Sequence, residues 1–306
     1  MQTRIKTLNK IDMIINNSDI KTEADNMKAT IIGDAIVNAF GAHKVNFTDF
    51  SADYSGVFGN AGSIIRVPLI GKTGGVKTAN ADGTDDFSIG TKETNHVDLE
   101  LSLKYVTCPL TIGELETGAQ LSDWATSLAN DVVEDVQKTL ETEISSNGVK
   151  CYKVGAADEF TAATLTKKIR PVIRQGAGVE PVCYLDSKYY ASVIPMDKDA
   201  FDPSKPHYGF TKICEYTPFQ DSFVGFAACK DAVAIASRIP QSIMNNPAYI
   251  TKYAYQIPEL GINVLYAEWA NPNNGTMTAG LFYCLGMQVV NTEKVAAFSS
   301  IRGNDL

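Results

Sequence analysis

Between Ser122 and Ser146 an apolar residue returns at every fourth position: Trp124, Leu128, Val132, Val136, Leu140 and Ile144, with Ala125, Ala129 and Val133 beside them. That period predicts one long amphipathic helix, capped by Ser122 or Asp123 and stopped at Asn147-Gly148. At 1.5 Å per residue it runs for roughly 35 Å, enough to be the backbone of a domain. A period of two governs "VDLELSLKY", where Val97, Leu99, Leu101, Leu103 and Tyr105 alternate with Asp98, Glu100, Ser102 and Lys104. This predicts a strand with one buried and one wet face. Ile64 to Ile70 reads as a second strand, which Pro68 confines to an edge, and the two together predict an extended two-stranded arm.

Roughly twenty-five polar, glycine-rich residues separate the two strands, more than a compact domain leaves without structure unless the segment has a use. Gly71-Lys72-Thr73 at its start resembles the end of a phosphate-binding loop. That motif needs a glycine five positions earlier, where Arg66 stands, and a following helix, where Gly74-Gly75 and turn formers stand. The stretch therefore reads as the stem of a long loop.

Upstream, residues 1 to about 55 read as an arm. "NMKATIIGDAIVNAFG" sets Met27, Ile31, Ala35, Val37 and Phe40, with Ile32, Ile36 and Ala39, at roughly helical spacing, so this helix needs a partner surface. Its tip carries Arg4, Lys6 and Lys10 without an acid and reads as an exposed end. From Cys151 to Tyr249 the pattern becomes mixed α/β. "TLTKKIRPVIRQG" predicts a helix interrupted near Pro171, "PVCYLD" and "AVAIAS" short buried strands, and "SKYYASVI" a short helix. The last fifty-odd residues predict long strands joined by a turn at Asn271 to Gly275, returning to pack on the long helix.

Composition narrows the function classes. The 306 residues are 44% hydrophobic and 20% charged, ordinary for a folded soluble chain, and the formal charge of -8 excludes indiscriminate nucleic-acid binding by the whole surface. No apolar run is long enough for a bilayer, and "MQTRIKTLNK" lacks the apolar core of a secretion signal, so synthesis in a cytoplasm is expected. The six cysteines, Cys108, Cys151, Cys183, Cys214, Cys229 and Cys284, lie far apart without metal spacing and read as buried thiols. His43, His96 and His207 stand in unrelated contexts. Asn80, Asp82, Asp85 and Asp86 lack the closing glutamate of a calcium loop, and Glu114 and Glu116 read as solvated acids. Catalysis, metal binding and cofactors are not expected.

The succession of parts carries more than any one motif. An N-terminal arm, an edge strand with "RVPL", a long two-stranded loop, an alternating strand closing near "TCPLTIGELE" and a long amphipathic helix resemble the major capsid proteins of tailed bacteriophages. "PVCYLDSKYYASVI" and "GFAACKDAVAIASRIP" resemble strands and a helix of their axial domain. The resemblance implies an α+β fold of the Hong Kong ninety-seven type, with an arm over 1-60, an extended β-hairpin loop over 61-107 and a peripheral domain with its spine helix over 108-150. An axial α/β domain over 151-249 and peripheral return strands over 250-306 complete it.

It further implies a non-enzymatic homo-oligomer of pentamers and hexamers forming an icosahedral shell, with a scaffolding protein, a portal and packaged double-stranded DNA as partners and no membrane. The site is a virion capsid made in a bacterial host. Lys72, Lys77, Asp82, Asp85, Asp86 and Lys92 would then belong to an intersubunit loop, with Lys167, Lys168, Arg170 and Arg174 as basic groups for its acidic tip. Some members of that family crosslink a loop lysine to a neighbour's asparagine, a place open to Lys72 or Lys77, but nothing near them identifies the partner or the assisting acid. Two other readings are an encapsulin-like bacterial compartment, which typically carries an N-terminal helix that receives cargo, and a soluble α/β ligand-binding protein or enzyme.

Overall fold

A computed structural model describes residues 23–42, 45–56, 64–73, 92–110, 121–146, 148–173, 180–194, 205–257, 261–270, 276–301 and 304–305. The chain begins with helix α1 (Glu23–Ala42) and strand β1 (Ser51–Asp53), followed by β2 (Ile64–Thr73), β3 (Lys92–Glu100) and β4 (Ser102–Leu110). Helix α2 (Leu121–Ile144) leads to β5 (Lys150–Lys153), β6 (Val182–Asp186), helix α3 (Ser187–Val193), β7 (Lys212–Tyr216), β8 (Phe223–Ala228) and β9 (Val233–Arg238). The last strands are β10 (Tyr249–Ile257), β11 (Ile262–Ala270), β12 (Met277–Val289), β13 (Val295–Ser299) and β14 (Asn304–Asp305).

These strands make two mixed sheets and a hairpin. The first sheet runs β1-β9-β12-β11-β10, with β4 also paired to β12. The second runs β14-β5-β13-β8-β6-β7, and β2 pairs with β3 alone. One apolar core spans both sheets and both long helices. Leu128, Val132, Val136, Leu140 and Ile144 of α2 are buried in it with Val264 and Leu281 of the first sheet and Tyr184 and Phe226 of the second, while Trp124 is half-buried against it. The α2 helix is fixed to the first sheet by Asp135, which accepts from Lys104 Nζ and from the Tyr283 hydroxyl, each at 2.7 Å.

Sheet membership departs from the chain order that the sequence suggests. The strand at Val233–Arg238, expected in the axial domain, pairs with β12 in the first sheet. The strand at Val295–Ser299, expected among the peripheral returns, sits in the second sheet between β5 and β8. The second sheet is thus completed by β13 and β14, the last strands of the sequence. Strand exchange of this kind depends on which edge is free, which local hydrophobic pattern does not encode.

The amino-terminal region also differs from a free arm. Ala29, Ile32, Ala35, Ile36 and Ala39 of α1 are buried in the main core, with α1 packed along α2 and touching β10, where the Tyr255 hydroxyl donates to the Ala29 carbonyl at 2.9 Å. The surface this helix needs is supplied by its own chain. Phe47 and Phe50 follow it into the core, and Asp49 holds the segment to the second sheet, with Oδ1 2.8 Å from Lys212 Nζ and Oδ2 3.1 Å from the donating Tyr184 hydroxyl. The tip with Arg4, Lys6 and Lys10 lies outside the described residues.

"VDLELSLKY" is two strands. The backbone leaves the ladder at Leu101, and the alternation changes face there: Leu99 and Leu101 are buried, but Leu103 and Tyr105 are exposed while Lys104, Val106 and Cys108 turn inward. "TLTKKIRPVIRQG" breaks into a short turn of helix, a wider π-turn over Leu165–Ile169 and a 3-10 turn over Arg170–Val172 that contains Pro171. The ring of Pro171 provides no N–H and ends regular helix there.

Candidate assembly surfaces

Among the described residues the candidate histidines, cysteines and acids do not come together. His96 is exposed in β3, His207 lies beside the second sheet and His43 is outside the described residues. Among the described residues no three His, Cys, Asp or Glu side chains come together as metal ligands, and no helix is long and apolar enough to cross a membrane. Of the cysteines only Cys183 and Cys229 are buried, and the other four are half-buried; no disulfide forms.

What the fold presents instead is surface. Among the described residues the β2–β3 hairpin is fastened at its base. Ile65, Val67, Leu99 and Leu101 pack on Ala234 and Ala236 of β9, whereas Ile64 is exposed and Arg66 meets Asp98 at 3.0 Å in the open. The hydrogen bond from Arg66 holds the Asp98 carboxyl below its ordinary range. The pairing continues outward to Thr73 opposite Lys92. Of the loop residues, Lys72 and Lys92 therefore lie on the two strands near their outer end, while Lys77, Asp82, Asp85 and Asp86 lie outside the described residues.

The backbone at the hairpin's base approaches β12 closely. A Cβ on Gly286 would stand 2.8 Å from the Glu100 carbonyl oxygen and 3.2 Å from Leu101, at the point where the hairpin leaves the sheet. Neither the β12 backbone nor the Glu100 carbonyl yields easily. Gly286→Ala is therefore expected to keep the fold but lose about 1–3 kcal/mol and displace the hairpin base. Urea unfolding checks this; a midpoint equal to wild type would show that the close approach does not matter.

The hairpin covers one part of the first sheet's outer face. Beside it, Tyr105 stacks on Phe282 with ring centres 5.9 Å apart, and Tyr249 and Trp269 adjoin them. Tyr105 is 67% exposed and Leu103 49%, so this aromatic strip is partly open to solvent. Its signal in the sequence, Leu103 and Tyr105 in an alternating strand, is the same one that suggests burial. Lys167 and Lys168 are exposed on the π-turn of the second sheet's flank, Arg170 is half-buried 3.6 Å from Glu180, and Arg174 lies outside the described residues.

Two mixed sheets sharing one core, a long helix packed across them and a hairpin fastened at its base make a fold similar to that of chains in solved capsid and virus-like-particle structures. The particular chains it is similar to include that of a virus-like particle from Pyrococcus furiosus, at 12% identity and a TM-score of 0.56 over 88% of this chain and 98% of that one. The head structure of Helicobacter pylori bacteriophage KHP40 shares 12% identity at a TM-score of 0.53 over 84% of this chain and 90% of its own. A Mycobacterium phage Che8 structure shares 15% at 0.52, over 84% and 91%. At these identities the likeness is one of fold. No family model matches the sequence, and no curated protein matches it.

Proposed function

We propose that this chain is the major capsid protein of a tailed double-stranded DNA bacteriophage and assembles, as pentamers and hexamers, into an icosahedral shell. The observation that carries the reading is the β2–β3 hairpin, a ten-residue strand and a nine-residue strand paired only with each other on a subunit whose fold is that of shell proteins. A lone two-stranded ribbon has little stability of its own, and one that extends beyond its packed base gains burial by lying on a neighbour. Head-to-tail contacts of this sort close into rings, and rings of five and six from one chain tile a shell. The partners of this reading are further copies of the chain, a scaffolding protein, a portal and enclosed DNA; its location is the virion. The chain acts by assembly and not by catalysis.

An encapsulin-like compartment is the second reading. It is favoured by α1, an amino-terminal helix seated on α2, and by the similarity to a virus-like particle. Electron microscopy of the purified protein, alone and with a co-expressed scaffold, tests both. Closed shells or free pentamers and hexamers are expected; a monomer at high concentration under both conditions overturns the assembly reading. Particles that enclose protein cargo, with no requirement for a scaffold or portal, transfer the assignment to the compartment.

A further inference from the structure

One buried carboxylate joins the long helix to the second sheet. Glu141 of α2 has no measurable exposure, yet its hydrogen bonds come from neutral donors, and Lys138 acts on it only at a distance. Its Oε1 accepts from the Tyr216 hydroxyl at the end of β7 and from the Phe219 N–H at 2.8 Å, and its Oε2 accepts from the Gln220 N–H at 3.0 Å. One turn earlier stands Gln137, 3% exposed, whose Oε1 has no hydrogen-bond partner among the described residues. Side chains four apart on a helix are neighbours on one face. A buried acceptor without a donor therefore lies one turn from a buried acid on the same helix face, and the acid's Oε2 accepts only one of these bonds, so a proton on Oε2 is the nearest donor the helix offers to Gln137 Oε1.

We propose that Gln137 and Glu141 form a proton-operated latch between α2 and the β7–β8 connection, closed when the Glu141 carboxyl donates a proton to Gln137 Oε1 and loosened when that proton leaves to solvent. The closed form gives Gln137 Oε1 its donor and removes the charge from Glu141. The open form leaves a buried charge held by three neutral donors, and burying charge without a counter-ion is costly.

The surroundings leave Glu141 as the titrating group. Lys138 on the same helix is paired with Glu134 and stands 5.9 Å from the Phe219 ring centre. Lys104 of β4 and Tyr283 of β12 meet Asp135, Glu143 accepts from the Val289 backbone, Asp34 of α1 is exposed, and β13 has no charged side chain. Burial raises the Glu141 carboxyl above its ordinary value of 4.5, against the lowering influence of Tyr216, of the Phe219 and Gln220 N–H groups and of Lys138. The Tyr216 hydroxyl is itself pushed up, first by burial and then by Glu141, so it stays neutral as a donor. A folded value above the unfolded one makes the latch's contribution complete below pH 4.5 and lost as pH rises through the folded value.

The test is hydrogen exchange of the peptide spanning residues 217–221 in the full chain, corrected for intrinsic rate, from pH 4 to pH 9. In wild type its protection is expected to fall by about tenfold for each unit by which the folded value exceeds the unfolded one. Glu141→Gln, whose amide donates to Gln137 while its oxygen still accepts, should hold high protection across the range. Gln137→Leu removes the proton's acceptor and should shrink the fall. A flat wild-type profile overturns the latch, as does an equal fall in Glu141→Gln. A Gln137→Leu profile identical to wild type overturns the shared proton, and these two chains decide the matter even where Glu141→Gln fails to fold.

Discussion

Val132→Asp is expected to abolish soluble accumulation of the subunit. Val132 is 1% exposed at the middle of α2, in the core that joins both sheets. An aspartate there has no described cation to pair with. Burying its charge without a partner costs several kcal/mol, and taking up a proton to avoid that cost leaves a polar group in an apolar site. Whole domains are stable by only about 5–15 kcal/mol, so the substitution consumes a large share of what holds the subunit together. Leu128→Asp, one turn away and 4% exposed, should act alike. Asp131→Asn, on the solvent side of the same helix, is the control and should accumulate normally. Soluble yield and thermal melting measure the difference; normal values for Val132→Asp would mean that α2 packs through another face.

The long helix was legible because a four-residue apolar period over six turns has no reading other than a helix buried along one side. The hairpin was legible for a related reason: two edge-type strands with a long polar insertion leave little choice but to pair with each other. Elsewhere local pattern and tertiary context diverge. Leu103 and Tyr105 continue the alternation of Leu99 and Leu101, but the backbone leaves the ladder at Leu101 and the face inverts, because Lys104 is drawn inward to Asp135 and Thr139. A one-residue slip in a strand exchanges its faces, and no residue type in "ELSLKY" marks the slip.

Gln137 and Glu141 are a second case. Read as polar positions of an amphipathic helix they belong to solvent, yet they extend Val133 at four-residue spacing into the buried face. The clue was their position and not their chemistry. Likewise the helical spacing in α1 pointed to Ile32, Ala35, Ile36 and Ala39, which are buried, but also to Ile31 and Val37, which are half-buried, and which surface the helix covers was set by the distant α2 and β10. Such long-range choices also decided that β13 closes the second sheet while β9 joins the first.

Replacing residues 74–91 by a short Gly/Ser turn is expected to leave the subunit folded and to abolish shell formation. The register makes the surgery local: Thr73 already stands opposite Lys92, so a short turn can close the hairpin there. Contacts of Ile65, Val67, Leu99 and Leu101 with Ala234 and Ala236 are kept. Shortening a loop changes its closure entropy only modestly, so circular dichroism and urea unfolding should match wild type. Assembly is different, because under the capsid reading the removed segment is what lies on the neighbour. Asp82, Asp85 and Asp86 fall within it, and the exposed Lys167 and Lys168 are the basic partners that we propose for that tip. Reversing the three acids to lysine in the full-length chain should therefore weaken assembly most at low salt, where exposed charges are least screened. Sedimentation and electron microscopy read both variants. Shells of normal size from the loop replacement would remove the segment from the interface, and charge reversal without a salt-dependent defect would leave the contact to the apolar hairpin and the Tyr105 strip.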